Sequence, residues 1–594
     1  VNYIRTVLLA ALGGACGGAL VGLAEATLVA MTGAPEELWL FPFGIVSYGA
    51  IGAAFGVGVG LLLAALAVAG IAGRRVPALG WGAALSFLPL GLAIGRYHLM
   101  QRLFGEGLAI ASPTGAAVHL GLLLGAAVIA ALVFLALRGV AARPVVVVTG
   151  WFALLGVAAS AALVAGDRGG DGAPVERRAD PAAAGRPNVI LVVMDTLRVD
   201  AINAHLGRDD GGVARLARDG VRFANAHSQA SWTRPSMASL LTSQYPSQHG
   251  AVQKTSLLSD RLTTLAEAFA AAGYWTAGFT TNINLAPIFN FQQGFDEYAY
   301  LEPSFYFGAT DSATRLAVYK GLRVVREWLF RDRIYFQNYY QDAEVVGAAV
   351  GDWLAEAPPQ PFFLLVHYMD PHDPYFEMPY NGRGVARVID PDPPAANASA
   401  YHELYGEGVE YVEKHFGGIL ADLEQRGLYG NSVIALTSDH GEEFQEHGGW
   451  WHGTTLYQEQ LHVPLVIKQA GPRTAAAVDE RVVEHVDVAP TLMRAAGLEP
   501  PDTFVGRDLF IPGPGGTVFA EVDHEGNRLT SLRQGDWKII VANPDNPRGL
   551  APVELYDLAT DPDERNDLAP TDSARVEEMM RALTERRAAL RRGS

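Results

Sequence analysis

Between residues 1 and 165 the chain carries five apolar runs, about Val7–Met31, Phe43–Gly73, Pro77–Ile94, Gly115–Leu137 and Val145–Ala165. No other feature limits its fold as strongly. Each run approaches or exceeds the roughly 20 residues that take a helix across a bilayer. In hydrocarbon the backbone polar groups have to be satisfied within the segment, so runs of this length fold as helices. Glycine and alanine are frequent in them, as expected where helices approach closely in lipid. A signal peptide accounts for one such run, not five.

The loop charges predict an orientation. Arg5 precedes the first run, Arg74 and Arg75 follow the second, and Arg138 and Arg143 lie between the fourth and fifth. Placing these in the cytoplasm satisfies the positive-inside tendency. Glu36 and Glu37 then fall outside, as does everything after the fifth run, while Arg96 and Arg102 fall outside against the tendency. The expectation is a multi-pass protein of the plasma (inner) membrane whose larger part is extracytoplasmic. A re-entrant second run would place that part inside. Glu25 interrupts the first run; intramembrane acids are costly and often functional, but the sequence assigns this one no role.

A segment from Asp167 to Arg186, rich in Gly, Ala, Pro and charge, reads as a flexible tether. Beyond it, buried-strand patterns alternate with helical stretches such as Leu262–Ala272 and Ala343–Ala355. This predicts an α/β fold with a mixed or mostly parallel sheet and helices on both faces. Two apolar runs end in ligand-type residues: Asn188–Met194 is followed by Asp195, and Ser432–Thr437 leads to Asp439-His440. Ligands bind beyond the carboxyl ends of strands in such sheets. Asp195, Asp439 and His440 are therefore expected to meet at one divalent metal ion. Carboxylate with imidazole favours zinc or manganese, with calcium the weaker alternative. A buried hydrogen-bonded cluster is the other reading of these three.

The stretch Ser231-Trp-Thr233-Arg-Pro235 predicts a helix starting at the proline, whose missing N–H is not needed in a first turn. Free N–H groups at a helix start favour an anion. Thr233 thus offers a hydroxyl where a phosphate or sulfate would sit. Such a hydroxyl needs a base or a metal to become a nucleophile; otherwise Thr233 is a helix cap.

From Arg186 to about Leu568 the chain resembles the sulfatase family of the alkaline phosphatase superfamily. The landmarks, in order, are Met194-Asp195-Thr-Leu-Arg198, Trp232-Thr-Arg-Pro-Ser, His367-Tyr-Met-Asp-Pro-His372 and Ser438-Asp439-His440-Gly-Glu. Glu446-His447-Gly, His452-Gly-Thr-Thr, Val486-Asp487-Val-Ala-Pro-Thr and Glu554-Leu-Tyr-Asp-Leu follow. A series of this length is far more specific than one motif. Behind the multi-span helical region of the apolar runs (1–166) and the linker (167–186), it implies an alkaline-phosphatase-like α/β sandwich with a mostly parallel central sheet (187–514). A small C-terminal sheet subdomain with a helical tail (515–594) completes the expected chain. The resemblance also implies metal ligation by Asp195, Thr233, Asp439 and His440, and catalytic roles for Thr233, His372, His452 and His367. Asn282, His447 and Arg198 are its substrate-binding candidates. For His367 a bond to backbone is an equal reading, and for Arg198 a structural pair with Asp200.

The departures bear on the reaction. Family sulfatases use a formylglycine made from Cys or Ser in a C/S-x-P-x-R motif, where this chain has Thr233 and Met237. Its one cysteine, Cys16, lies in the first apolar run. The second of the paired aspartates is Thr196, His452 replaces a lysine, and Gly273-Tyr-Trp-Thr-Ala-Gly-Phe-Thr-Thr-Asn282 stands where relatives carry a lysine and a histidine. These changes resemble branches that act on phosphodiesters or phosphomonoesters through an unmodified Thr or Ser. The expected enzyme is a membrane-anchored hydrolase or phosphotransferase acting on phosphate esters of lipid or envelope-glycan type. The alternatives are a sulfuric ester hydrolase without formylglycine, a silent anion- or partner-binding protein, and a membrane transporter or scaffold with an appended domain. Expected partners are membrane lipids and a phosphate- or sulfate-ester substrate, lipid-linked or free. The net charge of −18 argues against nucleic acid, which selects basic patches. The segment Glu302–Gln341 mixes aromatics with Lys320, Arg323, Arg326, Arg331 and Arg333. It is either a basic amphipathic helix on the membrane surface or an ordinary packed helix with a solvated basic face.

Overall fold

The computed structural model describes residues 3–31, 39–71, 77–100, 112–138, 183, 185–207, 211–330, 333–472, 476–513 and 515–592. The fifth apolar run, nearly all of the 167–186 tether, and Glu36, Glu37, Arg74, Arg75, Arg102, Arg143 and Arg331 lie outside the described residues. The chain forms two units, Val1–Glu176 with Phe305–Leu329, and Arg177–Ser304 with Phe330–Ser594.

The first unit is built on α1 (Tyr3–Ala30), α2 (Leu40–Val68), α3 (Ala78–Leu99) and α4 (Pro113–Leu137), all long and apolar enough to cross a membrane. Glycine sets how closely α1 and α2 approach. A Cβ on Gly14 or Gly18 would lie 2.0 Å from the carbonyl oxygen of Gly52 or Tyr48, so any larger residue would separate the helices. The helix Ala317–Leu329, from the basic aromatic segment, belongs to this unit. Leu316, Val318 and Tyr319 share an apolar cluster with Phe43, Tyr48 and Phe87, while Val324, Val325, Trp328 and Leu329 are exposed. Glu25 is buried in α1 and its carboxylate has three donors: Tyr48 Oη at 2.5 Å, His98 Nε2 at 2.7 Å and the Ala317 N–H at 2.8 Å.

The second unit holds an eight-stranded sheet. Its strands are β1 (Asn188–Met194), β2 (Val221–His227), β3 (Trp275–Thr280), β4 (Glu297–Tyr300), β5 (Phe362–Tyr368), β6 (Ser432–Thr437), β7 (His462–Lys468) and β8 (Ala477–Glu484). They lie in the order β8-β2-β7-β6-β1-β5-β3-β4. Only β7 runs antiparallel to its neighbours β2 and β6. β1 shows why the central strands read as unbroken apolar runs. Val189, Leu191 and Val193 enter the core on one face, and Ile190, Val192 and Met194 the core on the other, as in parallel sheets covered on both sides. The covering helices include α5 (Thr233–Thr242), α6 (Ala343–Ala355) and α7 (Ala398–Gln425). A four-stranded antiparallel sheet follows, β9 (Thr517–His524), β10 (Asn527–Gln534), β11 (Trp537–Ala542) and β12 (Val553–Asp557). The helix α8 (Ser573–Arg592) covers it through Met579 and Leu583.

Two helix boundaries differ from the sequence reading. α5 starts at Thr233, two residues before the proline, with Trp232 as the extended N-cap at φ −153°. Pro235 still falls within the first turn, where no N–H is required. The helix expected over Leu262–Ala272 is Leu265–Ala271, because Thr264 and Glu267 form a capping box that fixes its start.

Candidate active site

The candidate site lies at the carboxyl edge of the sheet. β1, β3, β5 and β6 are mutually parallel and end together, which delivers Asp195, Asn282, His367, Asp439 and His440 to one place. β2 ends on the same edge, and the turn after it leads into α5 and Thr233. Two distortions sharpen the arrangement. Thr196, at φ 56°, turns the chain directly after Asp195, and its N–H donates to Asp439 Oδ1 at 3.2 Å. Trp451 at φ 71° and Gly453 at φ 86° flank His452. Non-glycine residues rarely take the left-handed conformation unless their surroundings hold them there.

Thr233 Oγ1 lies 3.5 Å from Asp195 Oδ2 and 3.4 Å from His440 Nε2. Asn282 Nδ2 donates to Asp195 Oδ2 at 2.6 Å and stands 3.5 Å from Thr233 Oγ1. His440 Nδ1 is fixed on the Gly441 carbonyl at 2.9 Å, which turns Nε2 toward Asp195 Oδ1 at 3.7 Å and Asp439 Oδ2 at 3.4 Å. His367 Nε2 is 3.7 Å from Asp195 Oδ2. All of these side chains are buried.

The electrostatics suit a bound cation. Burial, with Asp439 as the nearest opposing carboxylate, pushes Asp195 well above the usual carboxylate range. Burial also opposes ionisation of Asp439, but His440, His367 and two backbone N–H donors outweigh it and hold its pKa low. Burial lowers His367 to about 4, which keeps it neutral. Asp195 Oδ1 and Asp439 Oδ2 are buried without a hydrogen-bond donor. Buried carboxylate oxygens are normally paired or bound to a metal. Asp195, Asp439 and His440 can bring one ligand atom each within 4.8 Å of one another, the one metal-type group among the described residues. These donors fit a divalent ion.

His452 and His372 form the adjacent wall. Their rings lie 4.7 Å apart, and His452 lies 4.6 Å from His440. His452 Nδ1 is held at 3.0 Å by Glu442 Oε1. Burial, then His440, His372 and Arg387, depress the imidazole well below its ordinary value. Burial raises Glu442 to about 7. His372 Nδ1 donates to the Asp373 carbonyl at 2.6 Å, with the Asp373 carboxylate 3.4 Å away.

The remaining candidates do not join this group. Arg198 is committed to Asp200 at 2.7 Å and Glu446 at 2.6 Å. His447 is stacked 3.7 Å from Tyr457 and held by Glu459 at 2.8 Å and the Glu564 carbonyl at 3.0 Å. Sequence reasoning missed Glu442, although it stands two residues after His440 in the Asp-His-Gly-Glu landmark. It also missed His524, whose ring lies 4.5 Å from that of Trp232, the neighbour of Thr233. Beside His524, Glu525 pairs with Arg387 at 2.7 Å and Lys254 at 2.8 Å. No motif marks these, because they meet from three separate segments.

Known proteins share the fold and sequence pattern that carry this site. The Sulfatase family model matches residues 187–498. The multifunctional alkaline phosphatase superfamily protein PehA of Trinickia caryophylli is 27% identical, over 65% of this chain and 91% of its own length. The N-acetylglucosamine-6-O-sulfatase of Bacteroides thetaiotaomicron is 23% identical, over 64% of this chain and 82% of its own. Among solved structures, the phosphonate monoester hydrolase of Agrobacterium radiobacter superposes with a TM-score of 0.53 at 21% identity, covering 68% of this chain and 95% of that one. Fold, motif order and family match agree: the chain belongs to the sulfatase family, among the hydrolases of the alkaline phosphatase superfamily.

Proposed function

We propose that the protein is a membrane-anchored, metal-dependent hydrolase or phosphotransferase of phosphate esters, with Thr233 as nucleophile. The observation that carries the reading is the position of Thr233 Oγ1. It lies 3.5 Å from Asp195 and 3.4 Å from His440 at the first residue of a helix, where the family places its formylglycine.

Asp195, Asp439, His440 and Thr233 would hold one divalent ion, zinc or manganese before calcium. Such an ion supplies Lewis-acid polarisation and lowers the pKa of a bound hydroxyl. Thr233 Oγ1 gives up its proton to water and bonds to phosphorus as the P–O bond to the leaving alcohol breaks in line with it. Asn282 and the start of α5 face the charge that develops on the transferring group. Glu442, whose pKa burial raises to about 7, donates in its protonated form to His452 Nδ1. The neutral imidazole then presents Nε2–H to an equatorial oxygen. His372, oriented through Nδ1, protonates the leaving oxygen from Nε2. The phospho-Thr233 ester is then opened by water, or by a second alcohol in a transferase, and Thr233 regains its proton. His367 is a neutral packing neighbour of Asp195, with neither ring nitrogen hydrogen-bonded. The catalytic unit is read as extracytoplasmic at the plasma (inner) membrane, from the loop charges, and its substrates as lipid or envelope-glycan esters.

The test uses the full chain in detergent with zinc, manganese or calcium supplied separately. Turnover of aryl phosphodiester, phosphomonoester and sulfate esters is compared for wild type and Thr233→Ala. Phosphate-ester turnover lost in Thr233→Ala supports the reading. Preferential sulfate turnover assigns the reaction to a sulfatase without formylglycine, and unchanged activity in Thr233→Ala removes the nucleophile.

A further inference from the structure

A groove of about 690 Å³ runs between one face of α3 and the helix Ala317–Leu329. On the α3 side it is lined by Leu90, Ile94 and Tyr97, a spacing that keeps them on one helical face. Val318, Gly321 and Leu322 line the other side. The walls are apolar and the end is cationic. Arg96 lines the groove in the last turn of α3. Lys320 Nζ lies 4.9 Å from the ring centroid of Tyr97 and donates to its hydroxyl. From Leu90 to Arg96 the groove follows α3 for about 9 Å, from inside the span to its end. No Asp or Glu is among the described lining residues. Glu25 adjoins Tyr48 and Ala317, which also line the groove, but its carboxylate is occupied by three donors.

We propose that this groove binds an anionic diacyl phospholipid of the surrounding bilayer. The acyl chains would lie along Leu90, Ile94 and Leu322, with the phosphate at Arg96 and Lys320. Charge complementarity selects this occupant. Cations at the end of an apolar cleft between membrane helices match an acyl chain that carries a phosphate, and basic pockets of this kind take acidic headgroups. The site depends on the membrane unit alone and not on the reaction proposed for Thr233. Gly321 supplies a clean perturbation: a Cβ there meets nothing within 4 Å. A leucine at this position would narrow the groove, its Cβ clear of every neighbour.

The experiment follows the thermal unfolding midpoint of the full chain in detergent. It is titrated with dioleoyl phosphatidylglycerol, dioleoyl phosphatidylcholine or inorganic phosphate. Phosphatidylglycerol is expected to raise the midpoint saturably, with phosphatidylcholine at least about tenfold weaker. In Arg96→Gln/Lys320→Gln the phosphatidylglycerol affinity should fall about 30-fold, at roughly fivefold per cation. In Gly321→Leu the response to both lipids should vanish while the starting midpoint is kept. If Gly321→Leu does not fold, the double substitution at the rim decides. Equal affinity for the two lipids, full affinity in the double variant, or a response to inorganic phosphate alone that matches the lipid would each overturn the proposal.

Discussion

Gly441→Ala tests whether the loop after β6 sets the metal-binding geometry. Gly441 N donates to the Gln460 carbonyl at 2.9 Å, and its own carbonyl accepts from His440 Nδ1 at 2.9 Å. Its φ is not among the positive values, so alanine suits the local backbone and only space forbids it. A Cβ would lie 2.0 Å from the Glu459 carbonyl oxygen and 3.0 Å from its carbon. An ordinary carbon–oxygen contact is about 3.3 Å, so the loop has to retreat by about 1 Å, and backbone cannot rotate away as a side chain would. Overpacking of this kind costs about 1–3 kcal/mol. The shift also moves the carbonyl that aims His440, and loss of such an outer partner lowers metal affinity about 10- to 100-fold. Thermal unfolding with and without metal, together with a metal titration, separates the two effects. Gly418→Ala is the control, since a Cβ there meets nothing within 4 Å. Wild-type metal affinity in folded Gly441→Ala would refute the claim that this carbonyl positions His440.

Three further outcomes are expected. Burial pushes the Asp370 carboxyl up to about 8. Its folded value lies above the unfolded one, so stability falls as pH rises from about 4 through 8. Asp370→Asn should flatten that slope and be the more stable form at pH 9, by about 3 kcal/mol in denaturant unfolding. For Glu525 burial opposes ionisation, but Arg387 and Lys254 outweigh it and hold the carboxyl at about 2. The stabilisation is therefore present above about pH 4.5 and lost as pH falls toward 2. Glu525→Gln should be about 1–2 kcal/mol less stable at pH 7 after solvent screening, with the difference shrinking in acid. Glu25→Leu strands Tyr48 Oη, His98 Nε2 and the Ala317 N–H, and should lower the stability of the full chain in detergent by about 2–4 kcal/mol. Glu25→Gln, which keeps acceptor capacity, should lose less.

The elements most legible in the sequence were those whose physics is local. β1 and β6 are continuous apolar runs, and they end where Asp195 and Asp439-His440 were expected. The helix α6 keeps the bounds read from its periodicity, with Asp342 accepting from the Val345 N–H as its cap. The antiparallel sense of β7 was not legible, because its apolar pattern is that of the parallel strands. Pro464 is tolerated there at a register shift between Val463 and Leu465. In the site, side chains at strand ends were found through motifs. Glu442 was passed over because it bonds to His452 Nδ1 and is not one of the metal-type trio. His524, Glu525 and Arg387 carry no local signal at all. For the segment around Ala317–Leu329 the composition left two readings open; Val318 and Tyr319 pack against the α2 residues Phe43 and Tyr48, while Val324, Val325, Trp328 and Leu329 are exposed.

The departures from the sulfatase pattern form a consistent set, and this bears on whether the site is active or decayed. Each removes a charge or a modification, and each replacement is accommodated. Thr196 Oγ1 donates to the Asp195 carbonyl at 2.7 Å, away from the ligand oxygens. Met237 is fully buried in the apolar core, so the position of the family arginine is closed to any cation. Asn282 donates to Asp195 Oδ2, and His452 has Glu442 on its inner nitrogen. A site drifting without selection would leave buried polar groups stranded at such changes, because each stranded group costs about 1–3 kcal/mol. None of these replacements leaves a buried atom unpartnered, whereas Asp195 Oδ1 and Asp439 Oδ2, which a metal ion would satisfy, are unpartnered, as are His367 Nδ1 and Nε2 and Glu442 Oε2 beside them. Two donorless carboxylate oxygens facing one another beside His440 favour a working hydrolase over a silent binding protein, in keeping with the function proposed above.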